Sequence, residues 1–292
     1  MPEEHRPVKI VVDSAADIPP DLARELDITV IPLLVQMGGR TYQDGVDLSG
    51  EAFYRQLEAT RSVTTTSLPT LDALAEAYRR LTSEGYDVVS VHLSSKLSGT
   101  FNAALMASTA DGVSAEAIAV VDSRSISMGE GWIAMKAAEA AREGKSQAEV
   151  EAIACGLVSH TMVYGVLDTL EYVIRSGRVG RIPATVGTML NIKPILTVQS
   201  SGEAIICERV RTRKKALARL VQLVAEQGPL DRLAVMHGAD EEGARTLLGM
   251  LKSLDNIPQS LVTAHIGAVL GTHVGPGAVG VCCLKHDPGE RV

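Results

Sequence analysis

Apolar and polar positions come in alternating blocks along the first half of the chain. "VKIVVDS" (8–14) is a short β-branched run that ends in polar residues. "ITVIPLLVQM" (28–37) is a second run, closed by the Gly38-Gly39 pair. Both predict strands. "LDALAEAYRRL" (71–81) carries apolar residues at helical spacing ahead of Gly85, which predicts a helix with a glycine stop. "DVVSVHLS" (87–94) then predicts a strand, "FNAALMASTA" (101–110) a helix, "AIAVVDS" (117–123) a strand and "GWIAMKAAEAAREG" (131–144) an alanine-rich helix. This βαβα rhythm predicts a parallel, doubly wound sheet. The words "VVDS" at 11–14 and 120–123 mark two strands that finish in Asp-Ser, at the edge where such sheets bind ligands.

The second half changes texture. "GLVSHTMVYGVL" (156–167) reads as a strand and "TLEYVIRSG" (169–177) as a helix. "KPILTVQSSGEAIICERV" (193–210) reads as a hairpin turning through Ser-Ser-Gly. An amphipathic helix (213–228), a strand (232–238), a helix (240–254) and a final strand (277–284) follow. The expected fold is α/β, with an N-terminal domain over 1–156 and a C-terminal domain of mixed sheet over 157–292. A ligand cleft is expected between them.

Composition narrows the ligand. Of 292 residues 46% are hydrophobic and 22% charged, as in a globular protein, and the net charge is −7. An acidic surface has no general attraction for nucleic acid or acidic lipid. Aromatics are only 3%, so stacking platforms for bases or sugars are scarce and a pocket here is walled by aliphatic side chains. Cys155, Cys207, Cys282 and Cys283 form no CxxC pair, and they read as reduced core residues without zinc. No clustered carboxylates or His-x-x-x-His pattern suggests a metal, and no cofactor motif is evident. Asp13, Asp17 and Asp122 near strand ends have the chemistry to bind magnesium, but Asp at such places caps turns, and that is the expectation. No signal-peptide core or membrane-length apolar stretch is read, so a cytoplasmic location is expected.

"GTHVGPGAVG" (271–280) contains a formal GxGxxG match from Gly275 to Gly280. A strand-like run follows it rather than a helix, and Pro276 removes a backbone donor, so no dinucleotide loop is expected. The reading is a tight glycine loop that aims His273. Two hydroxyl-rich segments predict anion sites at helix starts. In "TTTSLPT" (64–70), Thr66 or Ser67 is placed to cap. In "SSKLSGTF" (94–101), Ser98, Gly99 and Thr100 sit before a helix, and Gly99 lets the backbone approach a ligand. "IRSGRVGRI" (174–182) carries Arg175, Arg178 and Arg181 among glycines. It reads either as a solvated loop or as a docking patch for an acidic partner or a phosphorylated ligand.

Taken in order, "VVDSAADIP", "TTTSLPT", "SSKLSGTFNAA", "VVDSRSISMGEG", "LEYVIRSGRVG" and "HVGPGAVGV" resemble the DegV family of bacterial fatty-acid-binding proteins over nearly the whole chain. The resemblance implies two α/β domains with a long-chain fatty acid between and within them. It implies that Thr66 and Ser98 hold the carboxylate, that His273 lies near the head group, and that the protein has no catalytic residues. It further implies delivery of the acid to a separate fatty acid kinase that feeds phospholipid synthesis, with Arg178 a candidate contact for kinase or phosphate. Thr70 stands where the family often has Ser, and Val274 stands where Thr is common. Burying about fourteen methylenes supplies roughly 11 kcal/mol of gross transfer energy at about 0.8 kcal/mol each, so the tail supplies affinity and the hydroxyls orientation. The alternative reading is a small-molecule acyl or phosphoryl hydrolase using Ser98 or His273, although no G-x-S-x-G elbow is present.

Overall fold

The computed structural model describes residues 5–60, 62–180 and 192–286. In chain order its first half runs β1 (Val8–Asp13), a 3-10 turn (Ser14–Ala16), α1 (Pro20–Glu25), β2 (Thr29–Ile31), β3 (Leu34–Met37), β4 (Arg40–Gln43), α2 (Gly50–Thr60), β5 (Thr65–Ser67), α3 (Leu71–Ser83), β6 (Asp87–His92), α4 (Thr100–Ser108), β7 (Ile118–Asp122) and α5 (Met128–Arg142). The second half runs α6 (Gln147–Leu157), β8 (Thr161–Val166), α7 (Glu171–Ser176), β9 (Lys193–Val198), β10 (Ala204–Val210), α8 (Arg213–Ala225), β11 (Leu230–His237), α9 (Glu241–Leu251), β12 (Val262–His265), α10 (Ala268–Val274) and β13 (Val279–Lys285).

A four-stranded parallel sheet has the order β2-β1-β6-β7. It is doubly wound, as the alternation predicts. Leu74, Tyr78 and Leu81 of α3 share one helical face and pack with the small residues Ala103, Ala104 and Ala107 of α4 on one side of the sheet. Helices α5 and α6 cover the other side. The chain leaves β1 toward β2 and leaves β6 toward β7, in opposite directions. The carboxyl ends of β1 and β6 therefore frame the crevice where such sheets receive ligands.

The second sheet has six strands in the order β10-β9-β8-β13-β11-β12, antiparallel except for the β11–β12 pair. Its β9–β10 hairpin is the one the sequence predicts. Leu217 and Leu220 of α8 and Leu247 and Leu251 of α9 bury one of its faces. The other face meets α5. Trp132, 2% exposed, donates its indole N–H to the Cys282 carbonyl at 3.0 Å. One hydrophobic cluster thus runs from Ile10 and Val12 through Met128 and Trp132 to Ala234, Met236 and Cys282. The alanines of α5 let two sheets close on a single helix.

Four local expectations are revised. The run 28–37 is not one strand. Pro32 cannot donate to a ladder, so β2 stays in the parallel sheet while β3 becomes the centre of a separate antiparallel sheet, β4-β3-β5. The run 156–167 is strand only from Thr161, because α6 continues to Leu157. That helix was readable from its start, where the Ser146 N–H donates to the Glu149 carboxylate at 2.8 Å in a capping box. The stretch 271–280 is not a loop throughout. It is helical to Val274, and only then do Gly275 and Gly277 turn the chain at φ +73° and +78°. Finally, Cys155 and Cys207 are exposed, and only Cys282 and Cys283 are core residues.

Candidate functional site

A cavity of about 360 Å³ lies at the carboxyl ends of β1 and β6. That is within the usual size range of small-molecule sites. Its walls come from the segments that follow β1, β2 and β6, from β5, from the β9–β10 hairpin and from α10. Leu33 and Leu93 belong to the first half, Leu196 and Ala204 to the hairpin, and Val269 and Leu270 to α10. Thr66, Ser98, Gly99, Arg178 and His273 line it as well. The fold therefore brings Thr66, Ser98, Gly99, Arg178 and His273 together around one cavity.

The route to that arrangement differs from the expectation. Thr66 is not at a helix start. It lies on β5, paired with Val35 of β3, and the cap of α3 is Thr70, whose Oγ1 accepts the Ala73 N–H at 3.1 Å. The β-branched triplet Thr64-Thr65-Thr66 favours the extended backbone, so the helix begins only at Leu71. Ser98 does stand before a helix. Its Oγ accepts the Thr100 N–H at 3.3 Å and shares a hydrogen bond with Thr100 Oγ1 at 2.9 Å. Gly99 has an ordinary φ of −77°, and a Cβ there would meet only Leu68, at 3.5 Å. Neither backbone nor packing demands glycine at that position.

His273 projects from the last turn of α10, not from a glycine loop. Its Nε2 lies 3.0 Å from Thr66 Oγ1, a hydrogen bond across 207 positions of sequence. Its Nδ1 is buried and has no partner among the described residues. Burial, and then the positive charge of Arg178, push the ring's pKa down to about 4. At neutral pH the imidazole is uncharged. Gly275 then ends the helix, and a side chain there would collide with the Tyr172 ring. Glycine is thus required by both conformation and contact.

Arg178 donates from Nη1 to the Ser176 carbonyl at 2.6 Å. It faces both this cavity and an open groove that Lys96 and Arg209 also line. Arg175 is turned toward its own helix, against Tyr172 and Glu171. Arg181 lies outside the described residues. Asp13 and Asp122 act as the expected turn caps, accepting the Ala15 and Arg124 N–H groups.

A second cavity, about 670 Å³, backs onto the first. The wall between them is thin. Ala15, Leu33 and Val269 face one side, and Ser14, Ala16, Pro32 and Gly267 face the other. The second cavity has an acidic floor of Asp13, Asp17 and Asp44. Burial pushes Asp17 up to about 7 and Asp44 up to about 6, against the pull of the hydrogen bonds each accepts. Sequence reasoning missed Asp44 altogether and took Asp17 for a turn cap. Their partners lie 224 and 250 positions away, beyond the reach of any local signal.

Among the described residues no helix is long and apolar enough to cross a membrane, and no group of three His, Cys, Asp or Glu side chains could hold a metal ion. A family model described as an uncharacterised protein of the DegV family matches residues 7–286. A DegV domain-containing protein of Streptomyces coelicolor is 38% identical over 282 residues, covering 94% of this chain and 98% of the relative. A DegV family protein from Thermus thermophilus, described for its fatty acid binding, superposes with a TM-score of 0.86 at 30% identity, covering 96% of this chain and 100% of that one. DegV of Bacillus subtilis, described as a fatty acid binding protein, gives 0.84 at 32% identity with the same coverage. In both sequence and fold, over nearly its whole length, the chain belongs to the DegV family.

Proposed function

We propose that this protein binds a long-chain fatty acid, with the acyl chain among the aliphatic walls of the first cavity and the carboxylate at Thr66, Ser98 and His273. The observation that carries this reading is the Thr66–His273 hydrogen bond at 3.0 Å, which sets two neutral polar groups in a cavity walled largely by aliphatic side chains. The solved relatives described as fatty acid binding support it. Neutral donors suit a carboxylate that must enter and leave, since charge-assisted hydrogen bonds orient it without an ion pair. The carboxylate then sits between one helix start, at Ser98, and one strand, at Thr66.

In this reading the protein is a cytoplasmic carrier rather than a catalyst. Ser98 Oγ is engaged with Thr100, and no hydrogen bond joins it to His273, so the alternative hydrolase lacks a paired nucleophile and base. Arg178, at the junction of cavity and basic groove, is the candidate contact for a fatty acid kinase or the phosphate it adds.

Protein purified from bacterial cells is expected to carry an acyl chain detectable by organic extraction and mass spectrometry. No acyl chain, together with no uptake of added palmitate or oleate, would overturn the proposal. An NMR titration supplies the second check. The His273 pKa, about 4 in the empty site, is expected to rise when a carboxylate lies beside the ring. Identical titrations in loaded and empty protein would remove His273 from the head-group site.

A further inference from the structure

The acidic floor of the second cavity is joined to the first cavity through α10. Asp17 Oδ1 accepts the Gly267 N–H at 2.8 Å, and its Oδ2 accepts the Ser127 hydroxyl at 2.6 Å. Asp44 Oδ1 accepts the Ala268 N–H at 3.0 Å, and its Oδ2 accepts the Ser14 hydroxyl at 2.8 Å. Ser14 Oγ in turn accepts the Leu33 N–H at 3.1 Å. All four carboxyl oxygens are therefore used. They tie the start of α10 to the end of β1, to the loop before α5 and to the segment between β2 and β3. Gly267 permits this, because a Cβ there would lie 2.8 Å from Asp17 Oδ1 and 3.3 Å from Asp44 Oδ2. The next residues of α10 face the first cavity: Val269, Leu270, His273 and Val274.

We propose that Asp17 and Asp44 are positioning residues that clamp the first turn of α10 and so hold His273 against Thr66. The proposal rests on the reading of His273 and Thr66 as head-group residues. A seven-residue helix has little stability of its own. Its placement is set by its ends, and here the N-terminal end is held by two carboxyls that touch nothing in the fatty-acid cavity.

The clamp is also sensitive to pH. Asp13 on β1 and Glu130 on α5 face it as further buried carboxyls, Tyr54 on α2 and Cys282 on β13 face it as neutral groups, and Arg24, Glu51 and His265 stand around the second cavity. Burial raises both clamp carboxyls above the ordinary carboxylate range in the folded state, Asp17 to about 7 and Asp44 to about 6. A raised value means that stability is complete at low pH and is lost as pH rises through the folded pKa. Ionisation leaves like charges desolvated beside one another, so the clamp loosens as pH rises from about 4, the ordinary carboxylate range, to about 7, the higher of the two folded values. His273, at about 4, titrates at the foot of this window.

The test compares the full chain with Asp17→Ala/Asp44→Ala, Asp17→Asn and Asp44→Asn. Hydrogen exchange is read by mass spectrometry and corrected for intrinsic rates, and oleate release is followed alongside. In the double alanine variant, exchange in 267–274 is expected to rise roughly tenfold while β6 and α3 keep their protection. Oleate release is expected to quicken by about the same factor. Unchanged protection of α10 overturns the proposal. The asparagine variants keep shape and one acceptor oxygen each for the N–H groups of α10, and they carry the test should the alanine variant not fold. They are expected to restore α10 protection and to flatten the wild-type loss of protection between about pH 4 and about pH 7. A wild-type pH profile in both also overturns the proposal. His273→Ala separates the two levels of the argument. If it speeds oleate release and a loosened α10 does not, the clamp proposal alone fails. If neither does, the head-group reading fails with it.

Discussion

The two cavities meet at one thin wall and differ in almost every chemical respect. The first is largely aliphatic, with Thr66, Ser98 and a neutral His273 among its polar groups and Lys96 and Arg178 as its cations. The second has carboxyls on its floor, with two of them raised toward neutrality by burial. A cavity that presents hydroxyls and cations and no carboxylate can take up a carboxylate. An acid-floored one repels it. The contrast shows why an anionic lipid belongs on one side of the Ala15–Leu33–Val269 wall and not the other. It also shows what the acids do instead: they spend their acceptors on the protein's own backbone.

The sharpest way to break the comparison is to fill the first cavity. Ala204 on β10 is 8% exposed and faces its interior. Ala204→Trp should displace the acyl chain and weaken oleate binding by at least about a thousandfold, in proportion to the methylenes excluded. Binding that survives in a folded variant would place the ligand elsewhere. The next largest effect concerns the head group. Thr66→Ala with Ser98→Ala removes two donors to a charged acceptor, a loss of about 3 kcal/mol or roughly a hundredfold in affinity. Equilibrium titration with oleate measures it, and wild-type affinity would remove those hydroxyls from the site.

The second cavity is probed by stability. Asp44→Asn removes a charge whose burial is unfavourable when ionised. The variant is therefore expected to melt several degrees above the wild type near pH 8, at roughly 2–4 °C per kcal/mol for a chain of this size, by less near pH 5, and no higher below about pH 3.5. A gain at pH 5 that vanishes at pH 8 would reverse the sign and discard the argument. The smallest effect is expected at Val274, which lines the first cavity beside His273. Val274→Thr adds a hydroxyl near the head group and should tighten oleate binding by no more than about fivefold, the value of one neutral hydrogen bond.

Much of the fold was legible in the sequence because the strands and long helices advertise themselves locally. The run Val8–Asp13, the face Leu74-Tyr78-Leu81 and the hairpin through Ser-Ser-Gly all carry their periodicity within a dozen residues. What misled was local chemistry with two meanings. The glycines after Gly271 suggested a loop, yet α10 tolerates Gly271 because it packs against Phe53 and Tyr54, where a side chain would clash. The hydroxyl run at 64–67 suggested a cap, yet pairing with β3 made it a strand.

The sequence by itself determined the α/β alternation, the two kinds of sheet, the aliphatic character of any pocket and the identity of the candidate residues Thr66, Ser98, Gly99, Arg178 and His273. These follow from periodicity, composition and short motifs, each a property of neighbouring residues. Only the tertiary structure decided that Thr66 meets His273 across 207 positions, and that Asp17 and Asp44 hold the helix on which His273 rides. Such contacts form when the crossovers of a doubly wound sheet carry distant segments to the same strand ends. Their energy comes from burial and from hydrogen bonds made only in the folded state, so no local stretch of the chain encodes them.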